Sequence, residues 1–322
     1  MPNSSAQTET ILGHGSHRYK VEAQWGQLDP AKVPVHDCHE MVQDQKGRLI
    51  LLTNETKNNV IIYDRSGKAL ATWGHEYPGA HGLTLWNANG EEFLFISDNN
   101  RHEVIKTTLD GRVLMTLGYP RETGKYEKPE QYVPTEVAIA PNGDIYVADG
   151  DAEQHIIQYN EKGEYIRCFG GRGEGAANFK NAHGICLDTR DKKNPTLLIT
   201  ERVDNQLKRF SLAGEYLDAI ALPGAFICRP VIDDENVYCA VLISHTPWDS
   251  QTGYVTILDK HNRVISNPGG SAPIYENGVL QQMQQTVKIF KHPHDVCVDN
   301  DKNIYVAQWN SGKVYPIKLA RV

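Results

Sequence analysis

Four histidines occupy matched places in a pattern that recurs along the chain, and imidazole is a common ligand of transition metals in proteins. Each one follows a small residue or a proline and precedes a short apolar run, as in Ala80-His81-Gly82-Leu83 and Pro293-His294-Asp295-Val296. The pattern returns roughly every 50 residues, a period typical of repeat architectures. The four residues are His39, His81, His183 and His294.

Two further copies of the pattern carry a different residue at the histidine position. One copy, Pro134-Thr135-Glu136-Val137, places Thr135 there. The other copy is degenerate, and its register leaves both Cys228 and Arg229 open as the equivalent residue. The chain therefore contains six units.

Every unit continues with short apolar strands separated by turns such as Asn142-Gly143 and Lys162-Gly163, and no long segment has a helical period. These features are typical of an all-β protein. Units of this length with four short strands each are the blades of a β-propeller, and six blades close one ring. We therefore predict a single six-bladed β-propeller over residues 34–322. Residues 1–33 would form an arm that wraps the ring or supplies a strand that closes it.

The first strand of each propeller blade lines the central channel, so residues at one repeat position form a ring around the axis. His81, His183 and His294 come from alternate units, and their imidazoles would converge with threefold symmetry. Three protein ligands and an open position are the ligand set of a catalytic metal site. Zinc is the default ion, and iron, manganese, copper and nickel also suit imidazole. His39 is a fourth candidate, which could complete the coordination, support a ligand, or form a hydrogen bond only.

Charged residues close to the ring position are candidates for acid–base chemistry and substrate binding. Arg202 follows a strand that leaves the channel, where a guanidinium suits bidentate binding of a carboxylate or carbonyl oxygen. Glu136 and Asp295 directly follow the ring position, and each could be a general base, a partner of a metal ligand, or a calcium ligand. Asp151 lies in a polar loop one strand further on and is another catalytic candidate.

The composition disfavours several classes of partner. The 322 residues include 33 basic and 40 acidic side chains, a net charge of −7, which argues against a nucleic-acid partner. No apolar run approaches the roughly 20 residues that span a bilayer, so we expect no membrane partner. The N-terminal stretch has no signal-like apolar region and the six cysteines form no CxxC pair, so we expect free thiols and a cytoplasmic location.

The repeat is similar to NHL repeats, and roughly residues 36–318 resemble the catalytic core of the peptidyl-α-hydroxyglycine α-amidating lyases. The resemblance implies a six-bladed propeller with zinc held by His81, His183 and His294, and a substrate contact at Arg202. It also implies a structural calcium near Asp295, where the Leu83 carbonyl would serve as well. The stretches that carry the resemblance are 80–83 with 102–106, 134–137 with 147–150, 182–185 with 201–202, and 293–296.

The chain departs from this family in three respects. The family has a tyrosine, proposed as general base, where this chain has Asp151. The family's first-blade arginine has no clear equivalent near Thr53 and Asn54. The family is also secretory and disulfide-bonded, whereas this sequence shows neither a signal nor a pairing of cysteines. The scaffold and the metal are therefore better supported than a peptide substrate.

These features predict a metal-dependent lyase or hydratase-type enzyme. Its substrate would be a small polar molecule with a hydroxyl beside a carbonyl or a heteroatom-bearing carbon. The metal would polarise the substrate oxygen, and a carboxylate or histidine at the mouth would move the proton. Two alternatives stay open: a hydrolase of the lactonase type, in which the same site activates water, and a non-catalytic NHL module that binds protein through one propeller face.

Overall fold

Six antiparallel sheets surround a central axis, and each presents one edge strand to that axis. The computed structural model describes residues 9–322, so residues 1–8 of the predicted arm lie outside the described part of the chain. The innermost strand of each sheet contacts the innermost strands of the two sheets beside it, which closes the ring. The chain is an all-β, six-bladed propeller, and the prediction from the repeat is confirmed.

The strands of the blades follow chain order from the axis outward in blades one to five. The chain enters with β1 (Ile11–His14) and β2 (His17–Glu22). Blade one contains β3 (Cys38–Gln43), β4 (Leu49–Thr53), β5 (Val60–Tyr63) and β6 (Ala69–Trp73). Blade two contains β7 (Ala80–Ala88), β8 (Glu91–Asp98), β9 (Glu103–Thr108) and β10 (Val113–Leu117). Blade three contains β11 (Glu136–Ile139), β12 (Ile145–Ala148), β13 (His155–Tyr159) and β14 (Tyr165–Gly170).

Blade four contains β15 (Ile185–Asp188), β16 (Thr196–Glu201), β17 (Gln206–Ser211) and β18 (Tyr216–Ala221). Blade five contains β19 (Phe226–Asp233), β20 (Asn236–Ile243), β21 (Tyr254–Leu258) and β22 (Val264–Ser266). A small hairpin follows, formed by β23 (Tyr275–Glu276) and β24 (Val279–Leu280). Blade six contains β25 (Pro293–Val298), β26 (Ile304–Gln308) and β27 (Ile317–Arg321). Two single-turn 3-10 helices, Arg121–Thr123 and Pro129–Gln131, lie between blades two and three.

The second strands of the blades are deeply buried, which explains the apolar runs in several of them. Every residue of β4, β12 and β26 is buried. Each sheet is packed between two others, so both faces of a central strand lie in the core and a continuous apolar run replaces strict alternation. The core is therefore a ring of apolar layers between neighbouring blades; one such layer joins Leu51 of blade one to Tyr305 of blade six.

Both ends of the chain contribute to blade six. Strand β2 pairs antiparallel with β27, with Tyr19 opposite Arg321 and Glu22 opposite Lys318. Strand β1 adds a fifth strand outside β2. Tyr19 is buried in one apolar cluster with Leu319, so this pairing also covers core surface.

Two further features of the described chain concern its helical segments and its cysteines. None of the helical segments in residues 9–322 is long and apolar enough to cross a membrane. All six cysteines are free thiols, and two of them, Cys168 and Cys186, are only partly buried.

Candidate metal centre at the propeller axis

Local irregularities in the innermost strands aim the ring residues at the axis. In blades one, two and six the pairing of the first two strands shifts register next to His39, His81 and His294. A bulge of this kind bends a strand and redirects a side chain that would otherwise lie over the sheet. His183 lies just before β15, where the Gly184 carbonyl accepts a hydrogen bond from the Thr200 amide at 2.8 Å. The repeat position predicted from the sequence thus corresponds to one level of the channel.

All four imidazoles meet at that level and are buried. Ring centroids are 4.8 Å apart for His81 and His183, 4.7 Å for His81 and His294, and 5.0 Å for His183 and His294. His39 lies 4.8 Å from both His81 and His294. The Nε2 atoms of His81 and His183 are 3.2 Å apart. The structure therefore brings together the predicted trio and places His39 in contact with two of its members.

Backbone carbonyls fix the orientation of two of these rings. The Thr135 carbonyl accepts a hydrogen bond from His81 Nδ1 at 2.9 Å, and the His39 carbonyl accepts one from His294 Nδ1 at 3.1 Å. A proton held on Nδ1 leaves the lone pair on Nε2, which is the usual arrangement behind a metal-ligating histidine. Nδ1 of His39 and of His183 is buried without a hydrogen-bond partner in residues 9–322.

The protonation of the ring also suits ligation. Burial lowers the pKa of His81 below its ordinary value and lowers the pKa values of His39, His183 and His294 well below it. Neutral imidazoles at neutral pH can donate lone pairs, as metal ligands must.

The donor atoms fit a transition-metal ion. Two nitrogens that each lie about 2.0–2.1 Å from a tetrahedral zinc are about 3.3 Å apart, close to the separation of the His81 and His183 Nε2 atoms. Three sets of ligand atoms lie within 4.8 Å of one another: His39, His81 and His294; His183, Cys228 and His294; and His81, Asp151 and His183. His81, His183 and His294 each belong to two of these sets, and each pair of the predicted trio shares one set.

The cluster forms the floor of an open cavity of about 580 Å³. Charged side chains on its wall include Asp151, Lys180 and Arg202, and two tryptophans, Trp248 and Trp309, supply apolar surface. The Trp248 side chain is 43% exposed and packs edge-on against Phe226 with ring centroids 5.4 Å apart. A cavity with a few convergent polar groups and an aromatic side is typical of a small-molecule site.

Arg202 is buried in the cavity wall, and no carboxylate of residues 9–322 pairs with it. Its Nε donates to the Ile227 carbonyl at 3.2 Å and its Nη2 to Cys228 Sγ at 3.2 Å. None of the ion pairs formed within residues 9–322 includes this guanidinium. Its neighbour Glu201 instead accepts hydrogen bonds from the backbone amides of Lys180 and Asn181. A desolvated cation with free donors facing a cavity is suited to an anionic group of a ligand.

Asp151 is exposed at the rim of the same cavity. Its Oδ2 accepts a hydrogen bond from Asn99 Nδ2 at 3.3 Å. Its carboxylate raises the pKa of His81, against the larger lowering effect of burial. The structure thus brings Asp151 and Arg202 to the cavity with the histidines, as the sequence predicted for a catalytic site.

Glu136 and Asp295 lie in a separate layer beneath the histidines, away from the cavity wall. Glu136 Oε1 accepts hydrogen bonds from Thr84 Oγ1 at 2.9 Å and from the Val137 amide at 2.9 Å. Asp295 binds the guanidinium of Arg229, which also donates to the Leu83 carbonyl at 2.8 Å. Glu136 is therefore not among the residues that line the cavity, and Asp295 and the Leu83 carbonyl, the two oxygen groups expected around calcium, both accept hydrogen bonds from Arg229. A base role for Glu136 and a calcium site at Asp295 stay predictions.

The sequence alone left the ring residue of blade five undecided between Cys228 and Arg229. It also did not identify Trp248 as part of the cavity wall. The structure places Cys228 at the histidine level of blade five and Arg229 one level below it. Burial raises the pKa of the Cys228 thiol to about 11. The register shift that separates the two, between Ile227 and Pro230, leaves no signature in a degenerate repeat. Trp248 lies in a loop outside the repeat, so periodicity could not place it.

Comparisons with known proteins agree with this architecture. A family model described as DUF5128, 6-bladed beta-propeller, matches residues 135–318. Peptidyl-alpha-hydroxyglycine alpha-amidating lyase 1 of Drosophila melanogaster is 35% identical over 274 residues, which are 78% of this chain and 46% of the fly protein. NHL repeat-containing protein 3 of Homo sapiens is 25% identical over 225 residues, 67% of this chain and 61% of the human protein. The chain thus covers less than two thirds of either relative.

Among solved structures, a gluconolactonase from Xanthomonas campestris superposes with a TM-score of 0.62. The match covers 98% of this chain and 96% of the other at 11% identity. At that identity the likeness concerns the fold alone.

Proposed function

The chain belongs to the 6-bladed beta-propeller family whose model matches residues 135–318, and from its axial histidines and its relatives named as lyases we propose that it is a metal-dependent lyase. Two of its relatives are named as lyases, which supports the proposal that this chain is also a propeller enzyme. The proposed substrate is an N-acyl-α-hydroxyglycine, a small molecule with a hydroxyl and a carboxylate on a carbon that also bears nitrogen. The observation that carries the proposal is the cluster of buried imidazoles in one cavity with the Arg202 guanidinium, which has no carboxylate partner in residues 9–322.

The proposed reaction breaks a carbon–nitrogen bond. The hydroxyl proton leaves, the carbon–oxygen bond becomes double, and the electron pair of the carbon–nitrogen bond departs with the amide nitrogen, which takes up one proton. An acyl amide and glyoxylate result, so no oxidant or reductant is consumed.

The ring histidines would hold a divalent ion, which supplies Lewis-acid polarisation of a substrate oxygen when bound. Arg202 would bind the substrate carboxylate, because its guanidinium faces the cavity and has no acidic partner among residues 9–322. Asp151 would accept the hydroxyl proton, because it is an exposed carboxylate in the same donor set as His81 and His183. Trp248 and Trp309 would cover the acyl group.

The test is an assay of the zinc-loaded protein with N-acetyl- and N-benzoyl-α-hydroxyglycine, with glyoxylate and the amide measured together. The proposal predicts equal amounts of the two products, loss of turnover after chelation, and recovery with zinc. His183→Ala should abolish turnover, whereas His36→Ala, at a side chain that is 52% exposed, should leave it intact.

Two other outcomes would replace the proposal. Hydrolysis of lactones with no cleavage of α-hydroxyglycines would make the protein a hydrolase of the lactonase type. Absence of bound transition metal together with absence of both activities would favour a non-catalytic binding module, as the NHL relative allows.

A further inference from the structure

The layer beneath the histidines is built around a single buried arginine. Arg229 lies in β19 of blade five, and its side chain is 9% exposed. Its Nε donates to Asp295 Oδ1 at 3.1 Å and its Nη2 to Asp295 Oδ2 at 2.8 Å, a bidentate pair with blade six. Its Nη1 donates to the Leu83 carbonyl of blade two at 2.8 Å, and its Nη2 also donates to the Met41 carbonyl of blade one at 3.3 Å.

Two more carboxylates complete the surroundings of this guanidinium. Glu40 Oε2 lies 3.1 Å from Nη1, and Glu136 Oε2 lies 3.7 Å from Nε. The Glu136 oxygen is buried and has no hydrogen-bond partner in residues 9–322. The inner strands of blades one, two, three and six thus each present an oxygen atom to one side chain from blade five.

We propose that Arg229 is an internal cation that takes the place of a bound divalent ion and fastens the inner strands of five blades together. Carboxylate and carbonyl oxygens are the ligands that a hard ion such as calcium prefers, and here every one of them faces a guanidinium. Arginine suits the position because it presents five N–H donors in a planar fork and stays charged under all ordinary conditions. The inference concerns a layer apart from the imidazoles and does not rest on the proposed lyase activity.

In blade four, the absence of a side chain at Gly184 allows the backbone at Cys228 and Arg229 to approach closely. A Cβ atom on Gly184 would lie 2.7 Å from the Arg229 Cα and 2.5 Å from the Cys228 carbonyl oxygen. Blade four therefore contributes close backbone packing in place of an oxygen ligand. Arg229 directly follows Cys228, just as Glu40 follows His39 and Asp295 follows His294. The two layers therefore share the same stretches of backbone in blades one, five and six.

The experiment is calcium rescue of an arginine-free variant. Arg229→Ala removes the cation and leaves a cavity lined by carboxylates and carbonyls. We compare the melting temperatures of zinc-saturated wild type and variant with and without 5 mM calcium chloride. We expect no shift for wild type, a lower melting temperature for Arg229→Ala, and an upward shift of that variant on adding calcium.

Two further variants make the result specific. Arg190→Ala is the matched control, because the Arg190 side chain is only 11% exposed and pairs with one carboxylate, that of Asp188; it should gain nothing from calcium. Asp295→Asn in the Arg229→Ala background should abolish the rescue. Equal calcium shifts in wild type and Arg229→Ala, or no shift in either, would overturn the proposal.

A second pair of variants provides the test if Arg229→Ala does not fold. If Arg229→Ala is recovered only when calcium is present during refolding, the proposal is supported. If it is never recovered, Arg229→Lys and Arg229→Gln are compared, since lysine keeps the charge and glutamine removes it. A higher melting temperature for Arg229→Lys supports the internal cation, and equal melting temperatures overturn it.

Discussion

Arg202 differs from an ordinary surface arginine in its burial and in its hydrogen-bond partners. It is 7% exposed, and its donors go to a carbonyl and a sulfur atom and not to a carboxylate. A buried guanidinium that donates only to neutral groups forms a stronger, charge-assisted hydrogen bond when a substrate carboxylate binds. We predict that Arg202→Lys lowers kcat/KM for N-acyl-α-hydroxyglycines by about 10²–10³-fold, because a point charge cannot replace a bidentate fork.

The control for this prediction is Arg167→Lys, at an exposed arginine that donates to the Ala213 carbonyl away from the cavity. It should keep the wild-type rate. Wild-type kinetics for Arg202→Lys would instead mean that the guanidinium does not touch the substrate.

The four ring histidines are expected to contribute unequally to metal affinity. His81, His183 and His294 each belong to two of the compact donor sets, whereas His39 belongs to one. Alanine at any of the first three should therefore abolish stoichiometric zinc, and His39→Ala should only weaken binding. Zinc content after gel filtration, with His36→Ala as the control, distinguishes these cases; full zinc content in His183→Ala would contradict the assignment.

The sequence predicted the histidine ring but not the layer beneath it, for a physical reason. The trio is visible because each histidine occupies one repeat position with similar neighbours. Arg229 sits in a degenerate copy, and its direction depends on a local register shift between Ile227 and Pro230. A sequence shows that Asp295 and an arginine exist, but not that a strand irregularity brings them to 2.8 Å.

The inner strands position the site, and their glycines permit the close approach of neighbouring blades. A Cβ atom on Gly184 would lie 2.5 Å from the Cys228 carbonyl oxygen, whereas a Cβ atom on Gly118 would have no heavy atom of residues 9–322 within 4 Å apart from its chain neighbours. We predict that Gly184→Ala lowers the free energy of unfolding by about 1–3 kcal/mol, the range found for overpacking. Gly118→Ala, the matched control, should change it by less than about 0.5 kcal/mol.

Urea unfolding of both variants at one pH provides the measurement. Equal stabilities would mean that blade four can move away from Cys228 without cost.

The strand pattern itself was predictable, because β4, β12 and β26 consist mainly of apolar residues. The small hairpin of β23 and β24 was not, since two-residue strands have no periodicity.

The molecule as a whole is closed by pairing its two ends within blade six. Strand β2 pairs with β27, and Leu12 and Tyr19 are buried in the same cluster as Ile304. We predict that a chain starting at residue 24 melts on the order of 10 °C lower than a chain starting at residue 9, because several kcal/mol of core packing are lost. Equal melting temperatures by calorimetry would show that the pairing does not fasten the ring.

The central claim is that the propeller axis holds a divalent ion between imidazoles, and anomalous diffraction tests it most directly. Crystals of the zinc-loaded protein are measured above and below the zinc absorption edge. The account predicts one strong anomalous peak on the axis, about 2.0–2.1 Å from a nitrogen of each of His81, His183 and His294. Absence of a peak at the axis, or a peak bound by other residues, would contradict it.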